Sequence, residues 1–320
     1  MIIRWFFLFF LSLALFPAHA ANFSGLPQFI DEMVEKHQFK REELTYIFDH
    51  AKRLPFVLNA MDKQSTPQPW PDFRDNFVNP KSIADGLAFW QKYSDALQRA
   101  EQQYGVPQQI IVALIGVETR YGANAGKVNT LDSLTMLAFD YPRRASFFRG
   151  ELEQYLLLSR EQDFEIRKVR GSYAGALGIP QFMPSSYRKY AVDFDGDGKI
   201  DLLNNPVDAI GSVANYFKQS GWLDGGAIAL RSQAANETVD PAKLGGSHPL
   251  AEWAASGILP MTPSHEKQPA RLLTLGADKE LWLAFNNFDV IRSYNSSNYY
   301  AMSVFLLSES LRDARNAKLR

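Results

Sequence analysis

Apolar residues recur every three or four positions along most of the chain, and this spacing predicts α-helices. Residues 26–52 show the pattern twice, so we expect two short amphipathic helices there. The same period predicts further helices over residues 80–103, 107–121, 145–160, 206–220 and 298–315. The fold class is therefore predicted to be mainly α, in an α+β arrangement with a small β part.

Two stretches interrupt the helical pattern. Four prolines punctuate residues 65–80, which predicts an extended segment lying over a surface. Residues 234–269 contain a Gly-Gly pair and several prolines and are expected to be loop-like. The apolar runs 272–275 and 281–285 that follow are typical of a small hairpin. The loop-like stretch is thus the expected boundary of the β part.

The first twenty residues have the pattern of a secretory signal peptide. Arg4 precedes an apolar run from Trp5 to Phe16, and Pro17 is followed by an Ala-His-Ala cleavage sequence. The apolar run is shorter than the roughly twenty residues that a membrane span needs, although an uncleaved anchor is the alternative. The chain has no cysteine that could be acylated, so it is not expected to be a lipoprotein. We expect a soluble protein outside the cytoplasm.

Composition excludes several classes of function. The chain has 34 Lys plus Arg against 35 Asp plus Glu, and a net charge of −1 does not attract nucleic acid. The absence of cysteine excludes disulfides, zinc–thiolate sites, iron–sulfur clusters and cysteine nucleophiles. Aromatic residues make up 13% of the chain, which suits carbohydrate stacking and equally suits a helical core.

The helix predicted over residues 107–121 carries the first candidate for chemistry. Pro107 suits a first helical turn, and Glu118 lies in the last turn on the apolar stripe. Burial and the negative end of the helix dipole both disfavour an ionised carboxylate, so we expect the pKa of Glu118 to be raised. A general acid at neutral pH needs such a pKa. The alternative is a structural ion pair of Glu118 with Arg120 or Arg170.

A second candidate segment covers residues 171–186. Three glycines and two prolines make it tight and irregular, and small residues let a backbone approach a ligand closely. Ser172 and Gln181 supply a hydroxyl and an amide suited to binding a polyol. A structural turn between two helices is the alternative.

Two motifs in these segments have a family counterpart. The first reads Gly116-Val117-Glu118-Thr119-Arg120-Tyr121-Gly122, and the second reads Gly171-Ser172-Tyr173-Ala174-Gly175-Ala176 followed by Gly178-Ile179-Pro180-Gln181-Phe182-Met183-Pro184-Ser185. In order and spacing they resemble the membrane-bound lytic transglycosylase B family, glycoside hydrolase family 103. The resemblance covers about residues 25–315. It implies a lysozyme-like helical core that carries a single catalytic Glu.

The resemblance also implies a substrate and a set of binding residues. The implied reaction cleaves the β-1,4 bond between N-acetylmuramic acid and N-acetylglucosamine in peptidoglycan and leaves a 1,6-anhydromuramoyl end. Residues that match the family's cleft are Ser172, Gln181 and Phe182 around the bond, Tyr216, Tyr294, Asn295 and Tyr300 farther along, and the pair Arg143 and Arg144 for peptide-stem or lactyl carboxylates. For the tyrosines the alternative is core packing, and for the arginines a solvated helix start.

The resemblance implies three parts of the chain, and the signal-peptide pattern and the charge balance indicate its cellular setting. We expect an N-terminal helical part over 21–105, a lysozyme-like catalytic core over 106–235, and a small β part with a C-terminal helix that completes the cleft over 236–320. The protein is expected to be a periplasmic monomer that binds peptidoglycan glycan strands and no nucleic acid. Proteins of cell-wall synthesis or remodelling are candidate partners.

The chemistry of a lone acid can be argued from the residues. Glycosidases typically use two carboxyls, about 5–5.5 Å apart for retention or about 6.5–9.5 Å for inversion. Neither motif contains a second acid, so Glu118 would protonate the glycosidic oxygen and then take the proton of the C6 hydroxyl as that oxygen attacks C1. A hydrolytic muramidase and a non-catalytic peptidoglycan-binding protein are the two alternatives.

An acidic segment from Asp193 to Asp201 follows the EF-hand pattern. It has acids at positions 1, 3, 5 and 9 and glycine at position 6. The candidate ligands are Asp193, Asp195, Asp197, Lys199 and Asp201. Position 12, normally a bidentate Glu, is Asn204, and by the resemblance Asp208 closes the loop instead. We expect structural Ca²⁺, with Na⁺ or a metal-free acidic turn as the alternatives, and no organic cofactor.

Overall fold

The structure is a computed structural model that describes residues 23–63, 68–241 and 243–318. The chain forms two compact units that divide between Arg53 and Leu54. The signal peptide predicted over residues 1–20 lies outside the described residues. Within the described ranges, no helix is long and apolar enough to cross a membrane.

Helices dominate the described chain, which confirms the mainly α prediction. In chain order they are α1 (Leu26–His37), α2 (Arg41–Asp49), α3 (Pro55–Lys63), α4 (Trp70–Asp75), α5 (Pro80–Lys92), α6 (Ser94–Tyr104), α7 (Gln108–Thr119), α8 (Thr130–Asp140), a short 3-10 helix (Pro142–Arg144), α9 (Ala145–Glu161), α10 (Pro184–Tyr190), α11 (Pro206–Gln219), α12 (Leu250–Ala255), α13 (Asn286–Tyr294) and α14 (Asn298–Lys318).

The strands form two antiparallel sheets. They are β1 (Val128–Asn129), β2 (Arg170–Gly171), β3 (Ala229–Ala234), β4 (Ser247–His248), β5 (Ile258–Pro260), β6 (Ala270–Leu275) and β7 (Glu280–Ala284). Strands β1 and β2 pair with each other, and the other five form a sheet of order β4-β6-β7-β3-β5. Leu275 lies opposite Glu280 across β6 and β7, which confirms the predicted hairpin.

Helix α7 lies inside the core of the second unit. Its residues from Ile110 to Val117 are apolar or glycine on every side, and all of them are buried. A helix that is hydrophobic all round belongs in a core, and α5, α6, α11 and α14 pack around it. Gly116 leaves room for the ring of Tyr121, because a Cβ at Gly116 would lie 2.6 Å from the Tyr121 hydroxyl. Close packing therefore fixes the residues that follow the helix.

The five-stranded sheet covers a smaller apolar cluster. Trp253 of α12 is fully buried there with Leu283 and Phe285. Its indole Nε1 donates to the carbonyl of Ala270 at 2.7 Å, so its polar atom is satisfied. This contact holds α12 against the sheet.

The first unit contains α1 and α2, as the spacing of apolar residues predicts. Phe29 and Phe48 meet edge to face with ring centroids 6.0 Å apart. Met33 and Leu44 are fully buried beside them. The two amphipathic helices predicted over residues 26–52 are confirmed.

The extended segment predicted over residues 65–80 is wrong from residue 70 onward, and residues 65–67 lie outside the described chain. Trp70 begins helix α4 and is 1% exposed. Pro69 is the N-cap and Pro71 lies in the first turn, where a helix has no need of an amide donor. The prolines therefore start a helix, and the buried indole anchors it.

The loop-like stretch predicted over residues 234–269 contains more structure than expected. It includes β4, α12 and β5, which are two, six and three residues long. Elements this short carry too few residues for a periodic signal. The predicted helix over 80–103 is also divided, because Tyr93 (φ −114°, ψ 27°) separates α5 from α6.

Candidate active site

Glu118 lies in the last turn of α7, and the chain leaves the helix immediately afterwards. Arg120 and Tyr121 have left-handed backbones with φ 50° and 61°, and Gly122 follows with φ 88°. The amide of Arg120 donates to the carbonyl of Gly116 at 2.9 Å and closes the helix. Two successive non-glycine residues in this region persist only where surrounding contacts hold them. The backbone next to Glu118 is therefore rigidly defined.

The surroundings of Glu118 favour its protonated form. The side chain is half-buried, and burial raises its pKa from 4.5 to about 7. The hydroxyl of Tyr300 donates a hydrogen bond to its Oε1 and lowers the pKa by a smaller amount. A carboxyl with this pKa can donate a proton at neutral pH and can also accept one.

The partner of Glu118 is a tyrosine. Burial raises the pKa of the Tyr300 hydroxyl well above 10, and the charge of Glu118 adds to this effect, so Tyr300 stays neutral and donates. Among the ion pairs of the described residues, none joins Glu118 to Arg120 or Arg170. Arg170 instead donates to the carbonyl of Lys127 at 3.1 Å.

The segment 171–186 is irregular as far as residue 183, as predicted, and its last three residues belong to α10. Ser172 organises the first part of the segment. The Ser172 hydroxyl accepts from the amides of Ala174 (3.2 Å) and Ala176 (3.0 Å). A Cβ on Gly171 would lie 2.2 Å from the carbonyl oxygen of Ala176, so only glycine fits there. The predicted contact of Ser172 with a sugar stays a prediction.

The next turn of the segment is held through its backbone. Its three successive carbonyls all accept a side-chain hydrogen bond: Gly178 from the Gln181 amide (2.8 Å), Ile179 from the Thr119 hydroxyl (2.8 Å) and Pro180 from the Tyr294 hydroxyl. The Gln181 amide nitrogen donates a second bond, to the carbonyl of Ala125 at 3.1 Å. These two bonds use both of its N–H groups, so its side-chain oxygen is the atom suited to meet a ligand.

Three aromatic residues from distant parts of the sequence meet beside this turn. Phe182 lies 5.8 Å from Tyr216 and 5.8 Å from Tyr294, measured between ring centroids, and the two tyrosines are 4.8 Å apart. The hydroxyl of Tyr216 donates to the carbonyl of Ser293 at 2.9 Å. Burial raises the pKa of Tyr294 well above 10, and the charge of Glu118 contributes, which links this cluster to the acid.

Three other predicted binding residues have different surroundings. Arg143 contacts Asp62, with 3.3 Å between Nη1 and Oδ1. The guanidinium of Arg144 lies 4.3 Å from the ring centroid of Phe147. Asn295 follows α13 and is exposed. The roles proposed for these residues in substrate binding stay predictions.

The acidic loop after α10 brings three predicted ligands together. Carboxylate oxygens of Asp193, Asp195 and Asp197 lie within 4.8 Å of one another. The carboxylate of Asp193 also accepts from the amides of Gly196 (2.7 Å) and Gly198 (2.8 Å). A hard cation such as Ca²⁺ takes oxygen ligands of this kind.

The structure places Asp208 in the core instead of among these three carboxylates. It is fully buried, and its two oxygens accept from the amides of Phe194 (2.8 Å) and Asp201 (2.8 Å). Asp208 therefore links the start and the end of the loop through hydrogen bonds. Asp201 in turn accepts from the amide of Leu203 at 2.9 Å. The ligand roles of Lys199, Asp201 and Asp208 stay predictions.

Thr119 is a site residue that the sequence reasoning missed. It is 1% exposed, and its hydroxyl both donates to Ile179 and accepts from the amide of Gly122 at 2.9 Å. The available signal was a hydroxyl residue directly after the candidate acid at the end of a helix. A hydroxyl can be donor and acceptor at once, so it can join two backbone segments.

The arrangement can perform acid–base chemistry on a polyhydroxylated ligand. It combines a carboxyl that is half protonated near neutral pH with aromatic faces and an amide oxygen. Within the described part of the chain, the hydrogen-bonded cluster around Tyr300 and the 178–181 turn contains no carboxyl besides Glu118.

Several known proteins are similar to this chain in sequence and fold. The Transglycosylase SLT domain family matches residues 23–309. Membrane-bound lytic murein transglycosylase B of Escherichia coli (strain K12) is 45% identical over 307 residues, which is 92% of this chain and 84% of that protein. The E. coli lytic transglycosylase SLT35 in complex with bulgecin A is 46% identical, with a TM-score of 0.85 over 92% of this chain and 95% of that one. A further SLT35 structure is a complex with calcium. SltB3 of Pseudomonas aeruginosa in complex with NAG-anhNAM-pentapeptide is 30% identical, with a TM-score of 0.80 over 90% of this chain and 79% of that one.

Proposed function

Since the chain belongs to the Transglycosylase SLT domain family, we propose that it cleaves the β-1,4 bond between N-acetylmuramic acid and N-acetylglucosamine and leaves a 1,6-anhydromuramoyl end. The protein is a peptidoglycan lytic transglycosylase, like its relative in E. coli. The product and the single-residue mechanism are the proposal. In that mechanism Glu118 is first an acid and then a base.

In the first step, protonated Glu118 acts on the leaving sugar. Its proton passes to the glycosidic oxygen as the bond from that oxygen to C1 of the muramic acid breaks, and N-acetylglucosamine leaves with a hydroxyl at C4. The N-acetyl group of the muramic acid stabilises the positive charge that develops at C1. No second carboxyl of the protein is needed because the substrate supplies this group.

In the second step, ionised Glu118 acts as a base. It takes the proton of the C6 hydroxyl of the same muramic acid while that oxygen attacks C1, and the 1,6-anhydro ring closes. Glu118 is protonated again at the end, so the cycle consumes no water and leaves no net charge. Tyr300 donates to the carboxylate between the two steps.

The observation that carries this proposal is the partly buried position of Glu118 at the end of α7 with Tyr300 as its hydrogen-bond partner, because burial there raises the pKa of Glu118 to about 7. A group that donates and then accepts a proton in one turnover works best when its pKa lies near the working pH. An exposed glutamate, with a pKa near 4.3, would be mostly ionised and would make a poor acid at neutral pH.

The decisive variant is Glu118→Gln, assayed on purified sacculi. It keeps the shape of the side chain and removes the titrating proton, so we expect turnover to fall by at least about 100-fold while folding is retained. Glu309→Gln is the matched control, because burial also raises the pKa of Glu309, which pairs with Arg312 at 2.7 Å on α14. Retention of more than about a tenth of the wild-type rate in Glu118→Gln would contradict the proposal.

Product analysis separates the proposed reaction from its alternatives. In ¹⁸O-water, intramolecular attack by the C6 hydroxyl gives anhydromuramoyl ends without label at C1. Labelled reducing ends would instead identify a hydrolytic muramidase, and absence of any cleavage with tight glycan binding would identify a binding protein.

The cleft residues are proposed to hold the sugars. Acetamido sugars present apolar faces and amide groups, which suit aromatic rings and the side-chain oxygen of Gln181. The residues assigned to this role are Ser172, Gln181, Phe182, Tyr216, Tyr294, Asn295 and Tyr300. Arg143 and Arg144 are assigned to carboxylates of the lactyl group or peptide stem. SltB3, a structural neighbour, is known in complex with a NAG-anhNAM-pentapeptide.

The acidic loop is proposed to bind Ca²⁺. Its carboxylates supply oxygen ligands at EF-hand spacing, and the three nearest one another are those of Asp193, Asp195 and Asp197. A structure of SLT35 is a complex with calcium, which supports this ion over Na⁺. When bound, the ion would neutralise the repulsion of neighbouring carboxylates and stabilise the loop.

The periplasm is the proposed location, since peptidoglycan lies there and residues 1–20 have the pattern of a signal peptide. The glycan strand is the proposed partner.

A further inference from the structure

The hydroxyl of Thr119 is the point where the catalytic helix is joined to the wall of the cleft. We propose that Thr119 is a positioning residue that holds Glu118 in register with the 178–181 turn. Thr119 directly follows Glu118, and its side chain is buried on the side of the helix that meets the turn. The inference rests on the proposed function, because it concerns how the single acid is held.

The contacts of this hydroxyl reach two separate backbone segments. Oγ1 donates to the carbonyl of Ile179 at 2.8 Å and accepts from the amide of Gly122 at 2.9 Å. The second bond satisfies an amide just beyond the two left-handed residues that end α7. The first bond crosses to a segment that is 60 positions away in sequence. One side chain therefore fixes both the end of the helix and its distance from the turn.

The turn that receives this bond carries the binding groups. The carbonyls on either side of Ile179 belong to Gly178, which accepts from the Gln181 amide, and to Pro180, which accepts from the Tyr294 hydroxyl. A shift of Ile179 would therefore displace Gln181 and Tyr294 relative to Glu118. Misplacement of reacting groups by about 1 Å can cost on the order of 100-fold in rate.

The same backbone residue connects the turn to the acidic loop. The amide of Ile179 donates to the carbonyl of Leu202 at 2.8 Å, and Leu202 directly follows Asp201. Gly178 fits closely against the same carbonyl, because a Cβ there would lie 2.1 Å from it. Thr119, Ile179 and Leu202 thus form a continuous connection from the catalytic helix to the end of the loop.

Loss of the hydroxyl should change the titration of the acid as well as the rate. The pKa of Glu118 is raised chiefly by burial and lowered by the hydrogen bond from Tyr300. Because Thr119 joins the 178–181 turn to the end of α7, we expect the turn to contribute to that burial. If the turn packs less closely against α7, water reaches Glu118 and its pKa falls toward its ordinary value. The basic limb of the kcat–pH profile, where the acid loses its proton, should then move to lower pH.

The test compares Thr119→Val with Thr119→Ser. Valine keeps the shape and removes the hydroxyl, whereas serine keeps the hydroxyl. We expect Thr119→Val to lower kcat at least about tenfold with a smaller change in KM, and to move the basic limb to lower pH. Thr119→Ser should stay close to wild type in both. Thr135→Val is the matched control, because Thr135 of α8 is fully buried and its hydroxyl has no hydrogen-bond partner in the structure.

Several outcomes would overturn the inference. One is a basic limb of the kcat–pH profile that stays at its wild-type position in Thr119→Val. Another is a loss of kcat in Thr119→Ser as large as that in Thr119→Val, which would show that the methyl group causes the effect. If the valine variant does not fold, Thr119→Cys, with its weaker donor, is judged by the same shift of the limb. Glu118→Gln is assayed alongside: an active Glu118→Gln defeats the proposed function, whereas an inactive one beside a wild-type-like Thr119→Val defeats this inference alone.

Discussion

Two opposing effects set the proton affinity of Glu118, and they come from different parts of the chain. Burial in the cleft raises its pKa, while the hydroxyl of Tyr300 lowers it. Burial is the larger effect, so the net pKa is about 7. The tyrosine keeps the ionised form accessible, which a residue that must also act as a base requires. Removing either effect should therefore shift the basic limb of the kcat–pH profile in a direction that can be stated in advance.

Tyr300→Phe removes the hydrogen bond to the ionised carboxylate and keeps the ring. Because that bond lowers the pKa of Glu118, its loss should move the basic limb of the kcat–pH profile to higher pH and reduce kcat. Tyr155→Phe is the control, since it removes a buried hydroxyl that donates to the carbonyl of Ile166 at 2.7 Å. The control should lower the melting temperature and leave the limb in place. A limb that moves to lower pH in Tyr300→Phe would contradict this account.

The raised pKa of Glu118 also predicts how stability depends on pH. A carboxyl with a folded pKa of about 7 and an unfolded value of 4.5 binds its proton more tightly in the folded state. Its contribution is full below pH 4.5 and is lost as pH rises through about 7, at a cost of up to about 3 kcal/mol. Glu118→Gln, which cannot ionise, should avoid this loss.

The measurement is the melting temperature of wild type and Glu118→Gln between about pH 4.5 and 8.5. We expect the variant to gain stability relative to wild type as pH rises, with most of the change between pH 5 and 8. A difference that is independent of pH would show that Glu118 titrates at its ordinary pKa.

At the scale of elements, the 178–181 turn depends on a glycine. Gly178 has φ 70°, and a Cβ there would lie 2.1 Å from the carbonyl oxygen of Leu202. Gly178→Ala should therefore destabilise the protein by at least about 2 kcal/mol and remove most activity. Gly150 of α9 is the contrast, because a Cβ there has no atom within 4 Å, and Gly150→Ala should stabilise by about 0.5–1 kcal/mol. Urea denaturation measures the free energy of unfolding of both variants. If Gly178→Ala is as stable as Gly150→Ala, the turn relaxes to accommodate the Cβ.

The sequence predicted helices that have one polar face, and it also predicted α7, whose residues from Ile110 to Val117 are apolar or glycine on every side. The helices at 26–52 and 145–160 have a polar face and were predicted correctly. Helix α8 was not predicted: all of its residues from Thr130 to Ala138 are buried, including Asp132 and Ser133, so its polar residues do not mark an exposed face. Prolines misled the prediction at α4, where they occupy the first turn and the N-cap.

Reasoning from the residues alone predicted the local part of the candidate site, and the family resemblance named the distant tyrosines without their contacts. The position of Glu118 at a buried helix end and its raised pKa could be argued from neighbouring residues in the sequence. Its partner Tyr300 lies 182 positions away, and no local pattern reports such a contact. Thr119 was overlooked for a similar reason, since its hydroxyl acquires a role only when Ile179 arrives beside it.

At the scale of the whole molecule, the acidic loop brings carboxylates of like charge close together, and their repulsion destabilises the loop. Asp193, Asp195 and Asp197 hold their carboxylates within 4.8 Å of one another, and only part of this charge is offset by backbone amides. The loop is tied to the core through buried Asp208 and to the catalytic turn through Leu202. An ion that binds here should therefore stabilise the second unit, to which the loop belongs.

Calcium binding can be measured through the thermal stability of this unit. A ligand that binds only the folded state adds RT ln(1 + [L]/Kd), so 1 mM Ca²⁺ with a Kd of about 10⁻⁴ M gives roughly 1.4 kcal/mol. For a unit of this size the melting temperature should rise by roughly 3–5 °C relative to EDTA.

Asp197→Ala should abolish the Ca²⁺-dependent rise and lower activity only moderately, because the carboxylate lies outside the hydrogen-bonded cluster of Glu118. Asp278→Ala, which removes an exposed carboxylate after β6, should keep the full rise. Identical melting in EDTA, Na⁺ and Ca²⁺ would mean that the loop is an acidic turn without a metal, and complete loss of activity in folded Asp197→Ala would place the ion in the catalytic machinery.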